Sequence, residues 1–345
     1  MEYSDDYPYK IDYNYTYDGN LIPTEEPFLS HKSVCLKEVL CATLVVVSVV
    51  IFLLGFCGNA MVIWISGFKM KKTVNTTWYL SLAVSDFVFC AFLPLSITNM
   101  VMEEWIFGQF LCKFAPCVMF INMFSSIFLL VLISVDRFVS VAFPVWAQNN
   151  RTIKKASIIV VVAWLLATAL SVPSVVFRDV RTHLGRTICL NNYTSDLYSH
   201  KIVAVSRLLA GFIVPFLIIV ICYSIISFKL RNNRMTKSSK PFKVMTALVA
   251  AFFICWLPYH VFILLELNHQ DYDSTLLTIG LKLGTSVATA NSFLNPLLYV
   301  FMGKDFKRKF QSSVLSKMEN AMADEGRTLS GYLASSMDGR ASTHV

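Results

Sequence analysis

Charge is scarce in this chain: 15% of its 345 residues are charged, against about a quarter in a soluble domain. Hydrophobic residues reach 55%, and mean hydropathy is +0.57. That balance excludes a disordered chain, argues against an ordinary cytosolic enzyme and points to the bilayer as solvent. Catalytic signatures are missing: there is no His-Glu-x-x-His, no Gly-x-Ser-x-Gly and no P-loop. His31, His183, His200, His260, His269 and His344 form no metal-ligand spacing. No repeat of about 20–50 residues and no inverted half-repeat is visible, which argues against the alternative of a membrane transporter. No basic stretch precedes a short apolar core in the first 38 residues, so no cleavable signal peptide is expected and the first span would insert uncleaved. Acids are rare beyond the start. Residues 1–30 carry −6, the other 315 carry +14, and the high pI needs no nucleic acid to explain it.

What is present is apolar length. A helix needs about 20 mostly apolar residues to cross the hydrocarbon core. Seven stretches qualify: 39–67, 74–102, 110–143, 156–177, 202–228, 244–265 and 275–302. Closed barrels give weaker alternating segments, so helices are the better reading. Lys69, Lys71, Lys72, Arg151, Lys154, Lys155, the basic loop 229–243 and Lys304–Lys309 mark one side as cytoplasmic, while Glu103, Glu104, Glu266, Asp271 and Asp273 mark the other. The N-terminus is then outside and the C-terminus inside. The long loop 177–207 departs from this charge rule. The expected layout is an all-α membrane protein with an acidic outer arm (1–37), a seven-transmembrane helix bundle (38–302), a short amphipathic helix on the membrane surface (303–314) and a Ser/Thr-containing cytoplasmic tail (315–345).

Polar groups within spans are costly and mark function. Asp86 lies mid-span. Asn122 and Ser126 share one helix face by their i, i+4 spacing, as do Asn291 and Asn295. A carboxylate with amide and hydroxyl oxygens suits a hard cation; the same set also suits an ion-free hydrogen-bonded core. Asp136-Arg137 ends span three, where a charged pair is commonly a solvated anchor. Pro215, Pro258 and Pro296 interrupt spans and permit kinks.

Together these residues resemble a family. Gly58-Asn59, Leu82-Ala83-Val84-Ser85-Asp86, Asp136-Arg137-Phe138, Trp164, Pro215 with Tyr223, Cys255-Trp256-Leu257-Pro258-Tyr259 and Asn295-Pro296-Leu297-Leu298-Tyr299 fall in order on the expected spans. The chain resembles the rhodopsin-like (class A) G-protein-coupled receptors over roughly residues 38–315. Phe138 departs mildly from the commoner Tyr. Trp105-Ile106-Phe107-Gly108, the loop Pro144–Thr152, the exit Pro173–Asp179, Phe68–Asn75 and Lys240–Lys243 are similar to the chemoattractant branch, most of all to chemerin (chemokine-like) receptors. Formyl-peptide and complement-anaphylatoxin receptors, and a weakly signalling scavenging receptor, are the near alternatives.

The resemblance implies plasma-membrane localisation, chemotactic and inflammatory signalling, and an outward-opening pocket for a protein or peptide agonist. Arg178 and Arg207 would hold an agonist's C-terminal carboxylate through their rigid forks, the competing reading being snorkelling to the interface. Asn99 and Glu266 are further pocket candidates, and Phe107, Phe177 and Tyr259 would line it or simply pack. Asp136, Arg137, Tyr223, Trp256, Pro258, Asn295, Pro296 and Tyr299 would form the switch to a heterotrimeric G protein, of the inhibitory class by family analogy. Asp86, Asn122, Ser126, Asn291 and Asn295 would hold an allosteric sodium ion; no other metal or cofactor is implied. Cys112 and Cys189 would form the outer disulfide. Cys57, Cys90, Cys117, Cys222 and Cys255 read as reduced packing residues, and Cys35 and Cys41 have no evident partner. Of the four glycosylation sequons, Asn14 and Asn192 face outside on this topology, whereas Asn75 and Asn150 face inside. Tyrosines interleaved with acids in the arm suit a basic protein ligand and invite sulfation. In the tail, Ser330, Ser335, Ser336, Ser342 and Thr343 are phosphorylation candidates for a receptor kinase and arrestin.

Overall fold

The structure is a computed structural model that describes residues 39–183, 185–193, 197–232 and 240–302. The acidic arm with Asn14 and Cys35, the expected surface helix 303–314, the tail with its phosphorylation candidates and the side chain of Tyr299 lie outside the described residues.

Helix α1 (Val39–Trp64) ends in a π turn (Ile65–Lys69); α2 spans Val74–Met102, α3 Gly108–Ala142, the short α4 Pro144–Asn150 and α5 Ile153–Val176. Strands β1 (Arg178–His183) and β2 (Arg186–Asn191) follow. Next come α6 (Leu197–Leu208), a second π turn (Leu209–Ile213) and α7 (Val214–Asn232), which run on as a single span. Helices α8 (Lys240–Glu266) and α9 (Ser274–Met302) complete the bundle.

Six of these helical segments are long and apolar enough to cross a bilayer. The seventh, α9, is the right length but more polar. Its polar residues turn inward, with Ser286, Asn291, Ser292 and Asn295 all buried. An inward polar face lowers a helix's average hydropathy without exposing polar groups to lipid. Leu53, Leu54, Leu165, Leu166, Val161 and Phe228 point outward, as a lipid-facing surface requires. The core is built on α3. Phe120, Met123, Phe124 and Ile127 pack with Trp78 and Leu82 from α2 and with Leu248, Phe252 and Trp256 from α8.

Local chemistry explains several ends. Thr73 and Thr76 cap α2 reciprocally: the Thr76 amide donates to Thr73 Oγ1 at 3.2 Å, and the Thr73 amide donates to Thr76 Oγ1 at 2.7 Å. The π turn Leu209–Ile213 lies just before Pro215, whose ring nitrogen cannot donate. Gly211 in that turn permits close packing, because a Cβ there would come within 2.9 Å of the Met123 methyl. Beside Pro258 of α8, Gly284 of α9 does the same: a Cβ would meet the Tyr259 backbone at 3.0 Å.

Three features go beyond the sequence expectations. The long outer loop folds as a β-hairpin, turning through Gly185 at φ +76° with His183 paired to Arg186. The fifth span begins at Leu197, several residues before the expected 202. Cys41, which has no evident partner in the sequence, is disulfide-bonded.

Candidate ligand pocket and switch residues

Two guanidinium groups, Arg207 and Arg178, lie within electrostatic reach of each other at one end of the bundle. Arg207 sits just before the π turn of the fifth span and is only 8% exposed. Its Nη2 donates to Ser174 Oγ at 2.8 Å, and its guanidinium lies 3.6 Å from the Phe120 ring centroid. A cation over an aromatic face in a dry site is held by the ring quadrupole. Arg207 Nε has no hydrogen-bond partner. The side chain is buried against Ser174 and Phe120, inside the bundle.

Arg178 opens β1. Its Nη1 donates to the Cys189 carbonyl at 3.2 Å, and its Nε is also buried without a partner. Burial pulls its pKa below the usual arginine value, as does the like charge of Arg207, while Tyr259, Tyr193 and Glu266 act against this. Arginine nevertheless stays cationic in proteins. Tyr193 is pushed above the usual phenol pKa by burial, and Glu266 adds to that, while Arg207 and Arg178 pull back. It therefore stays a neutral phenol at physiological pH.

Other candidates divide. Phe177 stacks near Tyr193 at 4.9 Å, Tyr193 lies on His200 at 4.6 Å, and His200 Nε2 is 3.9 Å from Glu266. Tyr259 lies 6.2 Å from Phe120 and 5.8 Å from Trp256, ring to ring. Glu266 and Tyr259 therefore lie within electrostatic reach of the arginine pair, and Phe177 joins them through Tyr193. Phe107 instead meets Trp105 edge-on at 5.2 Å in the first outer loop, and the Asn99 carbonyl accepts from the Glu103 amide at 3.0 Å. Neither is among the described neighbours of the arginine pair. Residues that sequence reasoning passes over are Phe120, Ser174, Tyr193, His200 and His260. Of these only His260 carries a usable signal, one turn after Trp256 on the same helix face.

The hairpin is tied down beside Arg178. The Cys112–Cys189 disulfide ties β2 to the first turns of α3, with Cα atoms 5.7 Å apart. The Trp105 amide donates to the Thr187 carbonyl at 2.7 Å, and Arg186 pairs with Glu103 at 3.3 Å.

Below lies the mid-membrane polar cluster. Asn122 Nδ2 and Asn295 Nδ2 donate to the two Asp86 oxygens at 2.8 and 2.6 Å. Asn122 also donates to Ser85 at 3.1 Å and accepts from Ser292 at 3.3 Å, and Asn59 donates to the Ser292 carbonyl at 2.8 Å. Ser126 Oγ and Asn291 Oδ1, both expected in the set, are buried without hydrogen-bond partners. A buried carboxylate and two buried oxygens without hydrogen-bond partners are the chemical types of donor that a hard cation takes.

At the other end of the bundle Asp136 does not pair with its neighbour. Arg151 grips both its oxygens, Nε to Oδ1 at 2.7 Å and Nη2 to Oδ2 at 2.9 Å. Arg137 donates to Asn75 Oδ1, and so does Arg151, which makes one amide oxygen the joint between two guanidinium groups. In the sequence Asn75 reads as a bare sequon; its side chain is a structural bridge. Tyr223 packs against the α3 core, and Trp256 is buried within it.

The family model described as 7 transmembrane receptor (rhodopsin family) matches residues 58–299. Chemerin-like receptor 1 of Sus scrofa is 43% identical over 334 residues, covering 91% of this chain and 92% of that receptor. The Homo sapiens protein of the same name is 45% identical over 300 residues, 82% of this chain and 80% of its own length. The C3a anaphylatoxin chemotactic receptor of Oncorhynchus mykiss is 40% identical over 316 residues, 88% of this chain and 84% of that receptor. With seven packed helices, the Cys112–Cys189 bridge and these matches together, the chain belongs to the rhodopsin family of seven-transmembrane receptors, and it is a receptor and not an enzyme.

Proposed function

We propose that this receptor binds a chemerin-like protein agonist whose C-terminal segment enters the outer pocket, its terminal carboxylate engaging Arg178 and Arg207. The carrying observation is Arg207: a guanidinium 8% exposed, with a serine and an aromatic face as neighbours and an unsatisfied Nε. A buried fork of this kind fits a carboxylate bidentately. The sequence similarity to chemerin-like receptors favours this ligand class over formyl peptides. The presence of both Asp136 and Arg137 in sequence, though they do not pair with each other, favours a signalling receptor over a scavenging one.

The agonist end would press on the layer formed by Phe120, Tyr259 and Trp256 directly below Arg207. Trp256 lies two residues before Pro258, where α8 lacks one backbone hydrogen bond. Outward movement of α8 below that kink would open the cytoplasmic face for a heterotrimeric G protein, and Arg137 would leave Asn75 for Tyr223 and Tyr299. Agonist thus selects one of two packings of the bundle. Asp86, Ser126 and Asn291 would hold a sodium ion, with Asn122 and Asn295 orienting the carboxylate; when bound, the ion adds a positive charge that favours the closed packing. The receptor would sit in the plasma membrane with its N-terminus outside, couple to the inhibitory G-protein class, and recruit receptor kinase and arrestin through its tail.

The direct test is nucleotide exchange on an inhibitory-class G protein, with receptor in lipid nanodiscs and the synthetic C-terminal peptide of chemerin. The free acid should stimulate exchange, and the same peptide amidated at its C-terminus should need at least about tenfold more, the loss of one charge-assisted contact. Equal potency of acid and amide would remove the carboxylate clamp.

The cytoplasmic network gives a second expectation. Arg151→Ala frees Asp136 and removes one of the two guanidinium groups on Asn75. Because Arg151 is partly exposed, the shift is modest, and ligand-independent exchange should rise by about threefold. Unchanged basal exchange at matched receptor density would leave Arg151 a surface anchor.

A further inference from the structure

Beneath the arginine pair the pocket floor carries unmet hydrogen-bonding capacity. His260 is 3% exposed, and its Nε2 has no partner. Trp256, one turn before it, is 2% exposed, and its Nε1 is likewise unpartnered. Rings enclose the imidazole: Phe212 at 5.2 Å, Tyr259 at 5.5 Å and Trp256 at 6.4 Å between centroids. Tyr259 in turn faces Phe120, on which Arg207 rests. The Arg207 charge reaches His260 electrostatically. A buried imidazole nitrogen left unpaired among aromatic rings is costly, and native interiors avoid it unless something visits the site. Apolar burial alone would be served better by leucine or phenylalanine here.

We infer that His260 is a specificity-determining residue, whose Nε2 hydrogen-bonds a hydroxyl or carboxamide on the side chain that the agonist's last residue carries below its carboxylate. The inference rests on the proposed carboxylate clamp only for the direction of entry. A hydroxyl or carboxamide both donates and accepts, so it serves either imidazole tautomer. An apolar side chain of equal size would fill the space and leave Nε2 unpaired, which is how polar sites reject isosteres.

The test uses the C-terminal peptide of chemerin synthesised with threonine or with valine as its last residue, an isosteric pair differing in one hydroxyl. Affinity is measured on wild type, His260→Phe and His260→Gln receptors, each normalised to surface density. Wild type should prefer the threonine peptide by about tenfold. His260→Phe should bring the two peptides to within about twofold, and His260→Gln should keep most of the preference. Equal affinity for both peptides in wild type, or an undiminished preference in His260→Phe, overturns the inference. If one variant fails to reach the surface, the other carries the assignment to His260, and equal affinity in wild type overturns it alone. Amidated versions of both peptides separate the two readings. If amidation changes nothing while the threonine preference disappears in His260→Phe, the arginine clamp falls and the His260 role stands.

Discussion

Arg207→Ala is expected to weaken the free-acid C-terminal chemerin peptide by about 100-fold, or roughly 2.7 kcal/mol, within the ~2–5 kcal/mol typical when one partner of a buried charge pair is truncated. Three losses coincide. The ligand carboxylate loses its most buried counter-charge. Phe120 loses the guanidinium lying 3.6 Å from its centroid, and Ser174 Oγ loses its donor. Arg207→Lys should recover only part of the affinity, because an ammonium supplies a point charge and not a planar fork. Arg178→Ala should cost less, since that residue opens β1 and its Nη1 is already engaged by the Cys189 carbonyl. Competition binding on intact cells, with surface density measured in parallel, gives the numbers. An unchanged dose response in Arg207→Ala would take Arg207 out of the anion site. The amidated peptide sharpens the comparison: it should lose little further affinity on Arg207→Ala, as mutually dependent contacts do in a double-mutant cycle.

Much of the architecture is written in single residues. A lone arginine amid apolar neighbours at position 207 announces itself, because a bilayer makes isolated charge expensive. The i, i+4 pairs Asn122/Ser126 and Asn291/Asn295 do likewise, and the structure brings Asn122 and Asn295 onto the same carboxylate. What surrounds those residues is not legible. Phe120 and Ser174 are ordinary helix residues until α3, α5 and α6 are packed together, and contact between separate spans leaves no local pattern. The π turn at Leu209–Ile213 is hidden for another reason: an all-apolar stretch gives no periodicity from which a one-residue phase shift could be read. The outer hairpin carries little alternation, and its sequence speaks only through its charge. At the end of the bundle away from Arg207 the charges of Arg151 and Arg137 are visible but their shared partner is not, because Asn75 bonds through a neutral amide that sequence cannot aim.

Replacing Asp86 with asparagine is expected to abolish any difference in agonist affinity between sodium and an inert cation. In wild type, agonist affinity should be about tenfold weaker in sodium chloride than in choline chloride at equal ionic strength, within the ~5–150-fold range of ordinary allosteric coupling. Matching ionic strength removes general screening, which both salts supply alike. The expectation follows from the inventory of the cluster. Both Asp86 oxygens already accept amide protons from Asn122 and Asn295, yet each retains lone-pair capacity, while Ser126 Oγ and Asn291 Oδ1 have no donor at all. Oxygens with spare lone pairs and no protons to receive suit a cation better than further protein contacts. The Asp86→Asn change would keep the volume but remove the negative charge, and it would turn an NH₂ toward one of two existing amide donors. Agonist affinity in the variant should therefore match in the two salts. The same buried cluster also joins α1, α2, α3 and α9 through Asn59, Asp86, Asn122 and Ser292, so a change there is felt by four spans at once. A wild-type receptor indifferent to the choice of cation would show that this cluster serves as hydrogen-bonded packing alone, its two orphaned oxygens included.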